Sequence, residues 1–423
     1  MLDIKFIRDN KEIVKAGAKK KHLDVDIDRL VSVDDERLKI LKEVEDLRAE
    51  INRVSNDIAR NQDTNLKIQL IEEMRLVKED IKTKEEKLKK IMEEWQKIMV
   101  TIPNVPDMSV PEGEDDKSNV EVKVWGDKPN FSFTPKDHIE LMNNLGMLDL
   151  ERGVKVAGFR GYFLKGAGAE LQFALWRFTQ DFFANKGFTP MIVPSLVKRE
   201  VFAGTGYLPQ GEDDLYKTQD GDFLAGTAEV ATMGYYMGEV LDKKDLPIKF
   251  FSFSPCFRRE AGSHGKDTRG ILRVHEFYKF EQVVLCEANH EESVKFHEEL
   301  NKNTEELTQA LGLHYHVVAN CGGDLGLGQV KKYDIEVWLP SEGTYRETGS
   351  ASYFHDFQTR RLNIRYRDEE GRMRFVHSLN NTALSGRPLI MVVENYQQED
   401  GSIKIPEALR PYMGGREFIK NNP

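Results

Sequence analysis

The chain is poor in cysteine: three residues in 423, Cys256, Cys286 and Cys321, far apart in the sequence. An odd number with no C-x-x-C pair excludes a disulfide framework and a cysteine-type zinc site, and points to a reducing compartment. No stretch approaches the roughly 20 apolar residues of a membrane helix. The opening MLDIKFIRDNKEIVK lacks both an apolar core and a small-residue cleavage site, so no secretory leader is expected. Two familiar phosphate-binding patterns are missing as well, the G-x-x-x-x-G-K-[ST] loop and a G-x-G-x-x-G following a strand. Any ATP site is therefore of neither kind. A surplus of positive charge is also lacking. The formal net charge is −10, whereas nucleic-acid binders usually show a basic footprint. Any RNA contact must be confined to a local basic face.

What is present suits a soluble, cytoplasmic protein of two or three domains: 39% hydrophobic and 31% charged residues. Leu38, Leu41, Val44, Leu47, Ile51, Val54 and Ile58 recur at steps of three or four, the seam of a long amphipathic helix. Residues 61–65, NQDTN, interrupt it with turn formers. A second series follows, Ile68, Ile71, Met74, Val77, Ile81, Leu88, Ile91, Trp95 and Ile98, with Lys84 as the one gap. Two such helices joined by a short turn must run antiparallel. The expectation is a helical hairpin, each arm roughly 40–50 Å long at 1.5 Å per residue. Lys39, Lys42, Arg48, Arg53 and Arg60 line the first arm, and Lys67, Arg75, Lys78, Lys82, Lys84, Lys87, Lys89 and Lys90 the second, among similar numbers of acids. Such a coil is either a solvated face laced with i,i+4 pairs or an arm that grips a phosphate backbone.

Pro103 and Pro106 end the helix, and a polar, turn-rich stretch follows. The expected division is 1–107 and 108–423. Beyond it, β-rich runs (VEVKVW, PIKFFSFS, KFEQVVLC, LIMVVENY) mix with helical segments at 169–185 and 291–311. Hairpin-like runs without regular βαβ alternation predict an α+β domain, an antiparallel sheet with flanking helices. Two of its strands, near 248–258 and 272–286, flank a loop with Arg258, Arg259, Lys266, Arg269 and Arg273, and Glu260 among them. Such a set is poor core material and suits a polyphosphate, where guanidinium forks meet phosphate oxygens. Phe277 and Tyr278 offer a flat face to a purine. A mobile charged hairpin is the plainer reading.

Residues 257–281, FRREAGSHGKDTRGILRVHEFYKFE, resemble motif 2 of the class II aminoacyl-tRNA synthetases, in the form carried by the seryl-tRNA synthetase family. Residues 187–194, GFTPMIVP, resemble motif 1, and residues 385–398, SGRPLIMVVENYQQ, with 405–413, IPEALRPYM, resemble motif 3. Residues 226–229, GTAE, are similar to the family's serine-pocket motif, and the N-terminal hairpin to its tRNA-binding arm. The resemblance spans the chain, in order.

The resemblance implies a class II catalytic domain that activates L-serine with ATP to seryl-adenylate and transfers serine to tRNA(Ser). Whether tRNA(Sec) is also served stays open. Arg258, Glu260 and Arg387 would be catalytic. Arg258, Arg259, Glu260, Val274, Phe277, Glu347, Thr348, Gly349, Ser350 and Arg387 would bind ATP. Within that set, Arg258 would meet the α-phosphate and the serine carboxylate, Glu260 the adenine amino group and Phe277 the adenine face. Thr227, Ala228, Glu229, Arg258, Glu281, Asn380 and Thr382 would hold serine. Glu347 and Ser350 would carry Mg2+ with the ATP phosphates, and no zinc is expected: His314 and His316 alternate only with Tyr315 and have no third partner. The implied partners are a second subunit and a tRNA held by the coil, about 35–99, and by the loop 261–272.

The chain departs from the family pattern at Thr348-Gly349, where a hydroxyl is missing from the nucleotide loop, and at Arg259, His264 and Asn381. None of these removes a charge that the chemistry needs. Two other readings are a ligase that loads a carrier protein and a silent RNA-binding paralogue.

Overall fold

The computed structural model describes residues 1–60, 62–262, 265 and 267–421. Asn61 of the expected turn, and Ser263, His264 and Lys266 of the expected loop, lie outside the described residues. The chain divides into two compact units, Met1–Lys19 with Leu23–Pro103, and Lys20–His22 with Asn104–Pro423.

The first unit is built on two long helices, α1 (Ile27–Arg60) and α2 (Thr64–Met99). At 34 and 36 residues each is about 50 Å long. Asp63 caps α2, accepting from the amides of Asn65 and Leu66. The seam differs from the expected one at its ends. Val33, Ile40, Val44 and Ile91 form its core with Leu88, Trp95 and Ile98. Leu38, Ile68 and Ile71 are exposed instead. Leu70 takes the half-buried place near the turn, one step from Ile71, a drift that a 3.6-residue helix imposes on a seam extrapolated in steps of three or four. At the gap in the second series, Lys84 reaches across to Glu43, Nζ to Oε2 2.6 Å.

The second unit is organised by one large sheet. Its strands, among the described residues, are β1 (Val120–Trp125), β2 (Thr189–Ile192), β3 (Ile248–Phe257), β4 (Glu276–Cys286), β5 (Tyr315–Ala319), β6 (Lys331–Leu339), β7 (Thr344–His355) and β8 (His377–Leu384). They lie in the order β1-β5-β6-β7-β8-β4-β3-β2, antiparallel throughout except for the β2–β3 pair. Helices α3 (Ala167–Phe183), α4 (Ala228–Gly234), α5 (His290–Ala310) and α6 (Arg387–Asn395) accompany it. Helix α5 packs on the sheet through a polar seam. Asn303 donates to Gln282, and both Gln282 and Asn381 donate to Thr304, whose hydroxyl donates to the Thr382 carbonyl. These bonds pair most of the buried polar groups of the seam, leaving the Asn381 Oδ1 without a partner.

One predicted element changes type. LIMVVENY, read as β-rich, is helix α6, whose residues Pro388 to Glu394 are all buried. Pro388 sits in its first turn, where a missing N–H costs nothing. A helix buried on every side shows no polar period, so an apolar run cannot tell it from a buried strand.

Candidate active site

The site is assembled where β3, β4, β7, β8 and the start of α6 converge. One cavity is lined by Arg258, Glu260, Ile271, Leu272, Arg273, Val274, Phe277, Lys279, Glu347, Thr348, Thr382, Ser385, Gly386 and Arg387. Strands β3 and β4 pair from Phe257↔Glu276 inward, and the Arg258 amide extends the ladder by donating to the His275 carbonyl at 2.9 Å. Arg258 is thus fixed at the mouth of the hairpin, its Nε 3.4 Å from the Gly226 carbonyl and its guanidinium carbon 5.4 Å from the Phe277 ring centre.

Alternation along β4 places Phe277, Lys279 and Glu281 on one face of the sheet. Tyr278 is turned the other way, against Trp176 and Phe253. The aromatic platform expected from both residues therefore comes from Phe277 alone, because neighbours on a strand cannot share a face.

The five expected cations do not act alike. Arg273 is committed to carboxylates, with Nη1 2.5 Å from Glu260 Oε2 and Nε 3.5 Å from Asp267 Oδ2. Arg346 holds the other Asp267 oxygen at 2.9 Å. Glu260 adopts a positive φ of 56° and also faces Arg160, Nη1 at 3.9 Å. Arg259 and Arg269 are exposed, the former with its amide on the Asp214 carbonyl.

Strand β7 carries a bulge. Its partners on β6 step from Ile335↔Gly349 to Glu336↔Glu347, so Thr348 is the extra residue, and both Glu347 and Thr348 reach the cavity. The Thr348 hydroxyl donates to the Ile335 carbonyl at 3.2 Å. A Cβ on Gly349 would lie 2.9 Å from Thr304 Cγ2, on the α5 side of the sheet. The departure at 349 thus alters helix packing and takes no hydroxyl from the cavity side. Burial would raise the Glu347 pKa, but Arg387, Lys332 and Arg258 outweigh it and hold the carboxyl below its usual range. Arg387 bonds both the Glu347 carbonyl, 2.6 Å, and its carboxylate, 3.4 Å. Ser350 lies opposite Asp334 in the ladder, and the Asp334 carboxylate accepts from Asn320 at 2.7 Å. Burial, reinforced by Glu347, pushes Asp334 up to about 6, against the pull of Lys332. Among the described residues no three His, Cys, Asp or Glu side chains converge as a metal set. Of the expected pair, Glu347 lines the cavity and Ser350 is not among its lining residues; a single carboxylate suits a hard cation whose remaining ligands are phosphate oxygens.

Deeper in, Thr227 caps α4, its hydroxyl accepting from the Glu229 amide. Ala228 is fully buried in the helix's first turn. Glu229 accepts from Tyr207, 3.0 Å, and Gln358, 2.7 Å. Burial, then the nearby Glu281, raises its pKa. Glu281 Oε2 is shared by Lys279 Nζ at 2.6 Å, Thr382 Oγ1 at 3.4 Å and Thr227 Oγ1 at 3.5 Å. Asn380 occupies the same face of β8 two residues from Thr382.

Sequence reasoning missed Lys279, Asp334, Tyr207 and Gln358. Lys279 was findable, since i−2 from Glu281 on a strand means the same face. The other three come from segments remote in sequence and carried no local signal.

The fold and these residues define a class. Residues 216–396 match the family model for the tRNA synthetase class II core domain (G, H, P, S and T). A prolyl-tRNA synthetase from Giardia lamblia in complex with prolyl-adenylate shares that fold at 16% identity and a TM-score of 0.57, over 64% of this chain and 55% of its own. Residues 1–106 match the seryl-tRNA synthetase N-terminal domain. The serine–tRNA ligase of Deinococcus radiodurans is 43% identical over 99% of both chains. That of Thermodesulfovibrio yellowstonii is 45% identical over 98% of this chain and 99% of its own. The crystal structure of seryl-tRNA synthetase from Pyrococcus horikoshii complexed with ATP matches with a TM-score of 0.92 and 38% identity, over the whole of both chains. The chain belongs to the seryl-tRNA synthetase family.

Proposed function

We infer that the protein is a serine–tRNA ligase that makes seryl-adenylate from serine and ATP, then passes serine to the 3′ end of tRNA(Ser). The observation that carries this is the single cavity shared by Arg258, Phe277, Glu347, Thr348, Thr382 and Arg387. It holds cations for phosphates, an aromatic face for a base, and a hydroxyl beside a carboxylate for a small polar amino acid.

In this reading adenine lies on Phe277 beside Val274, its amino group donating to Glu260, which Arg273 holds in place. Arg258, with Arg259 at the rim, and Arg387 meet the phosphates, and Arg258 also meets the serine carboxylate. As that carboxylate attacks the α-phosphorus in line and pyrophosphate leaves, Arg258 and Arg387 offset the charge that develops. Catalysis is mainly positioning and electrostatics. Glu347 and Ser350 would hold Mg2+, which would supply further charge neutralisation on the phosphates. Serine's ammonium enters the carboxylate pair Glu229 and Glu281, with Thr227, the Ala228 backbone and Asn380 around it, and its hydroxyl meets Thr382. Rejection of alanine follows, since a missing hydroxyl leaves buried polar groups unpaired.

The division of labour is residues 1–107 for tRNA and 108–423 for catalysis. The hairpin takes the long arm of tRNA by shape and backbone, as RNA helices are commonly read, and the loop 261–272 guides its end. Strand β2, at the edge of the sheet with Ile192 87% exposed, is where a second subunit would pair to form the homodimer. No described helix is long and apolar enough to cross a membrane, and the three free cysteines suit the cytoplasm. The reading is tested by Arg258→Ala in serine-dependent ATP–pyrophosphate exchange. Loss of about 10²–10³-fold is expected for a group acting on the transition state, and near-normal exchange would refute it.

A further inference from the structure

We propose that His138 is a positioning residue for the ATP-binding loop, acting through the backbone of Ile271. The imidazole is 3% exposed and touches two elements of the site. Its Nε2 lies 3.3 Å from the Ile271 amide. Its Nδ1 lies 3.0 Å from Glu394 Oε1, which also accepts from the His138 amide at 2.8 Å. An amide N–H can only donate, so Nε2 must keep its lone pair, and the proton sits on Nδ1 facing the carboxylate. Both partners therefore select one neutral tautomer.

The loop is shaped to close on this ring. Gly270 has φ +71°, and a Cβ there would lie 2.3 Å from His138 Nε2. Only glycine permits that approach and that backbone together. The carbonyl of the following residue, Leu272, accepts from Arg387 Nε at 3.3 Å. Arg387 opens helix α6 and Glu394 lies near its end. One helix thus holds two neighbouring residues of the returning loop, Leu272 through Arg387 and Ile271 through Glu394 and His138. Arg273, which follows, holds Glu260, and Val274 comes next. The segment that bears His138 has its own staple, Lys136 exchanging two hydrogen bonds with Gln397 at 2.8 and 3.0 Å. Changing the imidazole therefore leaves its backbone anchored.

The consequence is selective. Releasing Ile271 should loosen Arg273, Glu260 and Val274, on the adenine side, and leave Thr227, Glu229, Glu281 and Thr382 in place. The inference rests on reading residues 258–277 as the ATP site. The test uses full-length protein in serine-dependent pyrophosphate exchange. His138→Asn retains a group able to reach Glu394 but none at the Nε2 position, and His138→Gln returns an amide oxygen there. His138→Asn is expected to raise KM for ATP about tenfold, the worth of about one hydrogen bond, with KM for serine within about twofold. Exchange of the Ile271 amide with solvent should quicken in the same variant. His138→Gln should recover most of both effects. Gly270→Ala, which keeps the histidine but sets a Cβ 2.3 Å from its Nε2 and so forces ring and loop apart, should give the same ATP-selective signature and covers the case in which His138→Asn does not fold. KM values for both substrates rising together, or unchanged KM for ATP with unchanged Ile271 protection, would overturn the proposal. The two levels separate cleanly. Exchange surviving Arg258→Ala defeats the ATP-site reading, whereas its loss there with wild-type behaviour of the variants at 138 and 270 defeats the role of His138 alone.

Discussion

The hairpin and the catalytic cavity are both dense in charge, yet they use it differently. Along α1 and α2 the ion pairs are mostly exposed, whether across the hairpin as in Arg48–Glu85 or within one helix as in Arg75–Glu72. Exposed pairs of this kind contribute about 0–1 kcal/mol each and are screened by salt. In the cavity each charge positions another: Asp267 holds Arg273 and Arg346, Arg273 holds Glu260, and Arg387 holds Glu347. Removing one such group leaves a partner uncompensated, which costs more than the pair itself contributes. The hairpin needs a total charge and a length. The cavity needs particular atoms at particular places.

The sharpest way to break that contrast is to excise the hairpin. Deleting residues 35–99 should abolish tRNA charging while pyrophosphate exchange persists, and in the intact protein the tRNA affinity should fall steeply with salt. Exchange lost along with charging would show that the two regions are not separable in function, and charging retained would refute the arm.

A subtler probe is Gly349→Ser, on the α5 side of β7. The new Cβ must push on Thr304 Cγ2, so a loss of about 1–3 kcal/mol is expected from overpacking, read as a lower melting temperature. Thr304→Ser, which removes that methyl and keeps the hydroxyl, should relieve it.

The sheet edge offers a pH test. His316 is held between Glu121 and Glu336, both at 2.7 Å. Burial opposes its charge, but the bonds to Glu336 and Glu121 prevail and raise its pKa. A raised folded pKa gives stability that is fully present below the unfolded value of about 6.5 and is lost as pH rises through the folded one. The melting-temperature gap between wild type and His316→Gln should therefore narrow as the pH rises above about 6.5. A gap that widens would contradict the assignment. The smallest effect belongs to the hairpin again: Lys84→Met, which exchanges an ion pair for an apolar contact in the seam, should move stability by less than about 1 kcal/mol.

Much of this was legible because the two units write their structure at different scales. The hairpin was visible as period, and only its ends were misplaced, since a small error per turn accumulates over 34 residues. The cavity was visible as motif, and Arg258, Phe277, Glu347, Thr382 and Arg387 do meet in space. What escaped was pairing. Nothing in the sequence says that Arg273 would be occupied by Glu260 and Asp267, or that Gln358 and Tyr207 would close over Glu229. Such contacts depend on strand order and bulges, which local pattern does not encode. Helix α6 escaped for a related reason, because complete burial erases the polar period that betrays a helix.

The uneven seam of the hairpin has a mechanical consequence. Near residues 33–44 and 88–98 the interior is filled by valine, isoleucine, leucine and the Trp95 ring, with Arg37 lying over it. Toward the turn, Leu66, Ile68 and Ile71 face outward and the grip between helices is thinner. With fewer buried apolar contacts to break, the turn end of the hairpin should open locally at lower cost than the packed base, and its backbone amides should exchange with solvent sooner.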